Sequence, residues 1–126
     1  MILVCGDMKI EVKAFTSTGP ASFGSNEKWN ELIFVDASDF KSKNFKIYII
    51  ALSNDHDKWK NIKVNSNETF FKQCVDGKRP RIKFSQIKTM LNEYVELLFS
   101  GKLSFENNKI NFNNLLLTDK SNDNNV

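Results

Sequence analysis

Near its start the chain alternates polar and apolar residues with period two, and further on it gives way to solid apolar runs, a pattern of strands rather than helices. Residues 2–5 (Ile-Leu-Val-Cys) and 9–15 (Lys-Ile-Glu-Val-Lys-Ala-Phe) are β-prone and are separated by Gly6-Asp7. Gly supplies the positive φ of a tight turn, so the chain is predicted to open on a hairpin. Leu32-Ile33-Phe34-Val35 and residues 45–52 (Phe-Lys-Ile-Tyr-Ile-Ile-Ala-Leu) read as central strands joined by the polar residues 36–44. With the hairpin they predict a four-stranded sheet.

Between hairpin and central strands, residues 16–26 form a Ser/Thr/Gly-rich loop long enough to reach a ligand, with Ser25 or Asn26 placed to cap one helical turn through Trp29. Asn67 is the expected cap of a helix over 68–75 that ends at Gly77. Ser85 is the expected cap of a longer one reaching Ser100, with Gly101 just past its end. Ile87, Leu91, Tyr94 and Leu98, joined by Met90, Val95 and Leu97, would give that helix an apolar stripe to lay on the sheet. Residues 102–117 suggest a short pair of strands. The Asn-rich end lacks the apolar content to fold, so the expectation is one domain over 1–117 and a disordered tail over 118–126.

A chain of 126 residues fits one domain able to bury its own core. A formal net charge of +3 is compatible with a nucleic-acid partner without requiring one. The Lys and Asn bias, with Arg79 and Arg81 as the only arginines, looks like the imprint of an AT-rich genome and lowers the weight of lysine abundance. Cys5 and Cys74 are too few and too far apart for a zinc motif, and neither a signal peptide nor a transmembrane run accompanies them. They read as reduced core residues of a cytoplasmic protein. Trp29, Trp59 and the phenylalanines fall within apolar runs or beside helix caps and read as core.

Chemistry concentrates on the second strand. Alternation puts Lys9, Glu11, Lys13 and Phe15 on one face and Ile10, Val12 and Ala14 on the other, so Glu11 and Lys13 are surface neighbours. Phosphodiester hydrolysis needs hard oxygen ligands for Mg²⁺ and a cation near the attacking water and the scissile phosphate. Glu11 suits the first task and Lys13 the second.

Glu11-Val12-Lys13, the residues from Ala14 to Gly24 that follow it, and the later Gln73-Cys74 and Gly77-Lys78-Arg79-Pro80-Arg81 resemble the PD-(D/E)xK nuclease superfamily, and more narrowly a type II restriction endonuclease. The resemblance spans roughly the first two thirds of the chain. It implies an α/β fold, a restriction-endonuclease-like mixed sheet of about four strands with flanking helices. It also implies a homodimer acting on double-stranded DNA with Mg²⁺, in which Glu11 and the Val12 carbonyl face the metal and Lys13 assists attack by water.

In that family an upstream aspartate completes the site, and here the only upstream carboxylate is Asp7. If Gly6-Asp7 is a two-residue turn, Cys5 pairs with Met8, Ile2 sits opposite Glu11, and the residue opposite Lys13 would lie just before Met1. Asp7 is then roughly 13 Å along the strand from Glu11. The expectation is that Met1 is an internal methionine of a longer protein, or that the reading frame is truncated.

Lys78-Arg79-Pro80-Arg81 holds the two guanidinium groups close together on a stiff segment, and arginine forks suit phosphate oxygens and guanine edges. Thr16, Ser17, Thr18 and Ser22 could donate hydrogen bonds to phosphates or bases. The DNA-binding set is therefore Thr16, Ser17, Ser22, Lys78, Arg79 and Arg81. His56 reads as part of a surface turn, and Asp36 and Asp39 are weighed as an extra carboxylate for the metal. Two other readings stand beside the enzyme: a truncated, inactive DNA-binding fragment, and a small α/β interaction protein.

Overall fold

The structure is a computed structural model that describes residues 1–106 and 109–112, so the expected tail over 118–126 lies outside the described residues. Strands β1 (Ile2–Cys5) and β2 (Met8–Phe15) form the opening hairpin, with Cys5 opposite Met8 and Ile2 opposite Glu11, as the turn chemistry predicts. Gly6 takes φ 62°, the left-handed conformation for which a residue without Cβ is suited. After a short strand β3 (Pro20–Ser22), β4 (Glu31–Asp39) runs parallel to β2. Strand β5 (Asn44–Ile50) returns antiparallel to β4.

The long helix expected from Ser85 to Ser100 is absent. A two-turn helix, α3 (Phe84–Met90), gives way to a single 3₁₀ turn and then to the strand β7 (Val95–Glu106). The apolar run Tyr94-Val95 and Leu97-Leu98-Phe99 fits a strand as well as a helix stripe, and the open hydrogen-bonding edge of β5 decides between them. Pairing sets Val95 beside Ile50 and Phe99 beside Ile47. Ser85 lies inside the first turn of α3, and Gln86 accepts from the Lys83 N–H instead. Strand β8 (Lys109–Phe112) pairs antiparallel with β7, in keeping with the expected strand pair there. The sheet thus has six strands in the order β1-β2-β4-β5-β7-β8, mixed and wider than the four expected.

Two short helices, α1 (Asp57–Lys60) and α2 (Phe70–Val75), lie between β5 and the strand β6 (Arg81–Lys83). The cap of α2 is Thr69, whose hydroxyl accepts from the Lys72 N–H, two residues beyond the expected Asn67. No helical turn forms at 25–29, where the backbone makes a turn with the Glu27 N–H on the Gly24 carbonyl.

The face of the sheet carrying Glu11, Lys13 and Phe15 also carries Leu32 and Phe34 of β4 and Ile50 and Tyr48 of β5, because these residues pair across the strands. Phe23, Trp29, Trp59, Ile62, Phe70, Ile82, Ile87 and Leu91 pack with it to make the core. Both tryptophans are buried as expected, and their rings meet edge to face at 5.3 Å. Each fully buried large side chain of this cluster contributes about 1.5–3 kcal/mol of transfer free energy. Cys74 is half-buried against the core, but Cys5 is exposed on the edge strand, contrary to the expectation of two core cysteines. An edge hairpin has no layer over it to bury a thiol.

Candidate active site

Strand β2 delivers Glu11 and Lys13 to one cleft because they lie two residues apart, and the hairpin holds them at the rim of the core. Glu11 is 6 % exposed, and its Oε1 lies 3.8 Å from Lys13 Nζ. The Met1 ammonium stands 3.1 Å from the same Oε1 and 3.3 Å from the Val12 carbonyl oxygen. The two oxygens assigned to a metal by sequence thus converge on one positive charge.

Lys13 is held from the opposite side. Its ammonium donates to the Ser22 carbonyl at 2.9 Å and to both oxygens of Glu27, at 2.9 and 3.1 Å, and sits 4.9 Å from the centre of the Phe23 ring. Glu27 also accepts from the Gly24 N–H. Burial pushes the Glu27 carboxyl upward, but the Gly24 N–H, the Lys13 ammonium and the Arg79 charge outweigh it and hold the group below its ordinary range. A Cβ on Gly24 would stand 3.0 Å from Glu27 Cγ, so the glycine permits this close approach.

Arg79 reaches the cleft through a two-stranded ribbon. Strands β3 and β6 pair antiparallel with Ser22 beside Arg81, and the Phe23 N–H donates to the Pro80 carbonyl at 2.9 Å. The ribbon therefore sets Arg79 over the Ser22-Gly24 turn, where its Nε donates to Ser22 Oγ at 3.3 Å. Glu11, Lys13, Glu27, Lys9, Lys28 and Arg79 line an open cleft of about 660 Å³.

The remaining expected residues are not gathered there. Lys78 pairs with Glu68 at 2.9 Å, and the pairing, together with Asn65 and Gln73, draws the Glu68 carboxyl down to about 2. Arg81 is exposed on β6 and does not line the cleft. Thr16 is exposed beyond β2, and Ser17 lines a separate hollow with Thr18, Tyr48 and Phe84. Only Ser22 of the loop hydroxyls meets the site.

Asp7 occupies the hairpin turn. Asp36 lies four residues past Leu32, the neighbour of Glu11, which is roughly 13 Å along the strand. It accepts from the Ser38 hydroxyl, and Asp39 accepts from the Asn44 amide. Neither serves the cleft. His56 caps α1 by accepting from the Lys58 N–H, in line with its reading as a turn residue. Among the described residues no group of three or more His, Cys, Asp or Glu side chains comes together to hold a metal.

Sequence reasoning missed Glu27. One signal was present: it is the sole carboxylate between Lys13 and Asn30, inside the loop expected to reach a ligand. Loop position alone does not say which way a side chain turns, and only the ribbon that closes the loop directs Glu27 to Lys13.

A family model described as Bsp6I restriction endonuclease matches residues 5–93, a stretch that contains Glu11, Lys13, Glu27 and Arg79. No curated protein and no solved structure gives a significant match.

Proposed function

The chain belongs to the Bsp6I restriction endonuclease family, and from that premise we propose that it is a Mg²⁺-dependent endonuclease hydrolysing phosphodiester bonds of double-stranded DNA. The observation that carries the reading is the meeting, in one cleft, of a buried Glu11 carboxylate, the Val12 carbonyl and the Lys13 ammonium. The donors fit a hard divalent cation: both are oxygens, one is anionic, and both already turn toward a single positive charge. Glu11 and the Val12 carbonyl would hold Mg²⁺, which when bound supplies a polarised phosphoryl oxygen and an acidified water.

The chain's own groups do the rest. Lys13 places a positive charge where charge builds up on the phosphate. Arg79, over the same cleft, offers a planar fork to a second phosphate oxygen, and Lys9 and Lys28 extend the positive rim along the duplex. Thr16, Ser17, Lys78 and Arg81 fall outside the cleft and would touch DNA only away from the reacting phosphate. Dimerisation, which would set two such sites on opposite strands, is part of the proposal, as is a cytoplasmic location. No described helix is long and apolar enough to cross a membrane.

That no third acidic residue joins the cluster among the described residues favours one rival, a domain that binds DNA without cutting it. Incubation of the purified protein with mixed plasmid DNA and Mg²⁺ separates the two. Discrete fragments that vanish on Glu11→Ala and on Lys13→Ala support the enzyme. Binding without cleavage supports the rival, and cleavage unchanged by both substitutions refutes the assigned site.

A further inference from the structure

The Glu27 carboxylate sits among groups that suit an anion brought from outside. The Lys13 ammonium donates to both of its oxygens, the Gly24 N–H donates to one of them, and the Arg79 guanidinium adds its charge. Ammonium, backbone N–H and guanidinium are the donors by which proteins seat phosphate oxygens. Arg79 makes no salt bridge among the described residues, and its one hydrogen bond there, from Nε to Ser22, leaves the ends of its fork directed elsewhere. The seat opens onto the cleft that Glu11 also lines.

We propose that this seat is the phosphate-binding site for the DNA strand to be cut, and that Glu27 is a resident counter-ion which the incoming phosphodiester displaces from Lys13, Gly24 and Arg79. The proposal rests on the reading of the chain as a DNA-acting enzyme and adds what Lys13 is doing before DNA arrives. The buried Glu11 and the half-buried Glu27 beside Lys13 neutralise its charge in the free protein. A phosphate can take over that role. Glu27 then swings to solvent, for which its position on an open turn at the cleft mouth is suited.

The displacement has a thermodynamic signature. In the native protein the phosphate replaces one anion by another, and the freed Glu27 gathers its own counter-ion, so little net ion release accompanies that contact. With Glu27 neutral, the same phosphate contact releases a counter-ion, and the slope of log affinity against log salt steepens by about 0.9.

The test measures binding of a fluorescent duplex oligonucleotide in EDTA, which prevents cleavage, to the native chain, Glu27→Gln and Asp55→Asn. Asp55 is exposed, borders the same turn and makes no contact with Lys13. Glu27→Gln is expected to bind about tenfold more tightly at low salt with the steeper slope, while Asp55→Asn shifts affinity by less than about twofold and leaves the slope unchanged. DNA binding by the native chain with no gain in Glu27→Gln, or an equal gain in both variants, overturns the displacement. Absence of DNA binding by all three proteins overturns the DNA reading beneath it.

Because Glu27→Gln could weaken the fold, NMR titration of the native chain provides the second measurement. The Glu27 carboxyl, held low in the free protein, should titrate nearer its ordinary range once duplex is bound. A carboxyl that stays low in the complex overturns the proposal.

Discussion

Lys13→Met and Glu27→Gln should be strongly non-additive in stability. The two side chains are 16 % and 23 % exposed, and their charges meet at 2.9 Å with a second contact at 3.1 Å. At about 3 Å and an effective dielectric of about 20, the Coulomb attraction is on the order of 5 kcal/mol. Desolvating both groups offsets more than half of it, which leaves an expected coupling of about 2 kcal/mol. Lys13→Met alone strips the positive charge from beside two carboxylates, of which Glu11 is nearly fully buried, and should cost about 3 kcal/mol.

With Glu27 already neutral, the same substitution should cost only about 1 kcal/mol, since a single carboxylate then loses its partner. Urea denaturation of the native chain, both single variants and the double variant closes the cycle, with equal m-values as the condition for comparing midpoints. A coupling below about 0.5 kcal/mol would refute the reasoning, because it is what a solvent-screened surface pair gives.

Other substitutions probe the same construction. Because the Glu27 carboxyl is held below its ordinary value, its contribution to stability is complete above the unfolded-state value and is lost as pH falls through the folded one. Native protein should therefore lose stability on acidification below about pH 4.5 more steeply than Glu27→Gln, as parallel thermal melts would show, and identical slopes would contradict it. Gly24→Ala puts a methyl group 3.0 Å from Glu27 Cγ and 3.4 Å from Arg79 Nη1, so it should shift the Glu27 side chain and cost about 1 kcal/mol, with the Glu27 carboxyl titrating closer to normal by NMR.

Trp59 is fully buried and its indole N–H has no partner among the described residues, so Trp59→Phe should lie within about 1 kcal/mol of native, whereas Trp59→Ala should cost about 4 kcal/mol in the same denaturation assay. Arg79→Ala should weaken duplex binding at low salt by about tenfold, while Arg81→Ala, exposed and outside the cleft, should weaken it less. Equal effects would argue against the position assigned to Arg79.

The hairpin was readable to the residue because a two-residue turn fixes the register of both its strands, and alternation along β2 placed Glu11 beside Lys13. Strands β4 and β5 were readable from their largely apolar, β-branched stretches. The helix expected over 85–100 failed where local pattern is ambiguous: Tyr94-Val95 and Leu97-Leu98-Phe99 satisfy either period, and the empty edge of β5 tips the choice. Half of the cleft was hidden for the same reason. Glu11 and Lys13 are neighbours in sequence, whereas Glu27 and Arg79 arrive by the pairing of β3 with β6, a long-range contact that periodicity does not report.

That ribbon ties assembly of the cleft to completion of the fold. Ser22 and Arg81 pair across nearly half the chain, after β4, β5, α1 and α2 have been made. The pairing of β1 with β2 is local and can form early in a growing or partly unfolded chain. Such a chain cannot bring Arg79 over the Ser22-Gly24 turn until the intervening sheet is paired. If the chain acts on DNA as proposed, its capacity to grip DNA would then appear only with the finished domain.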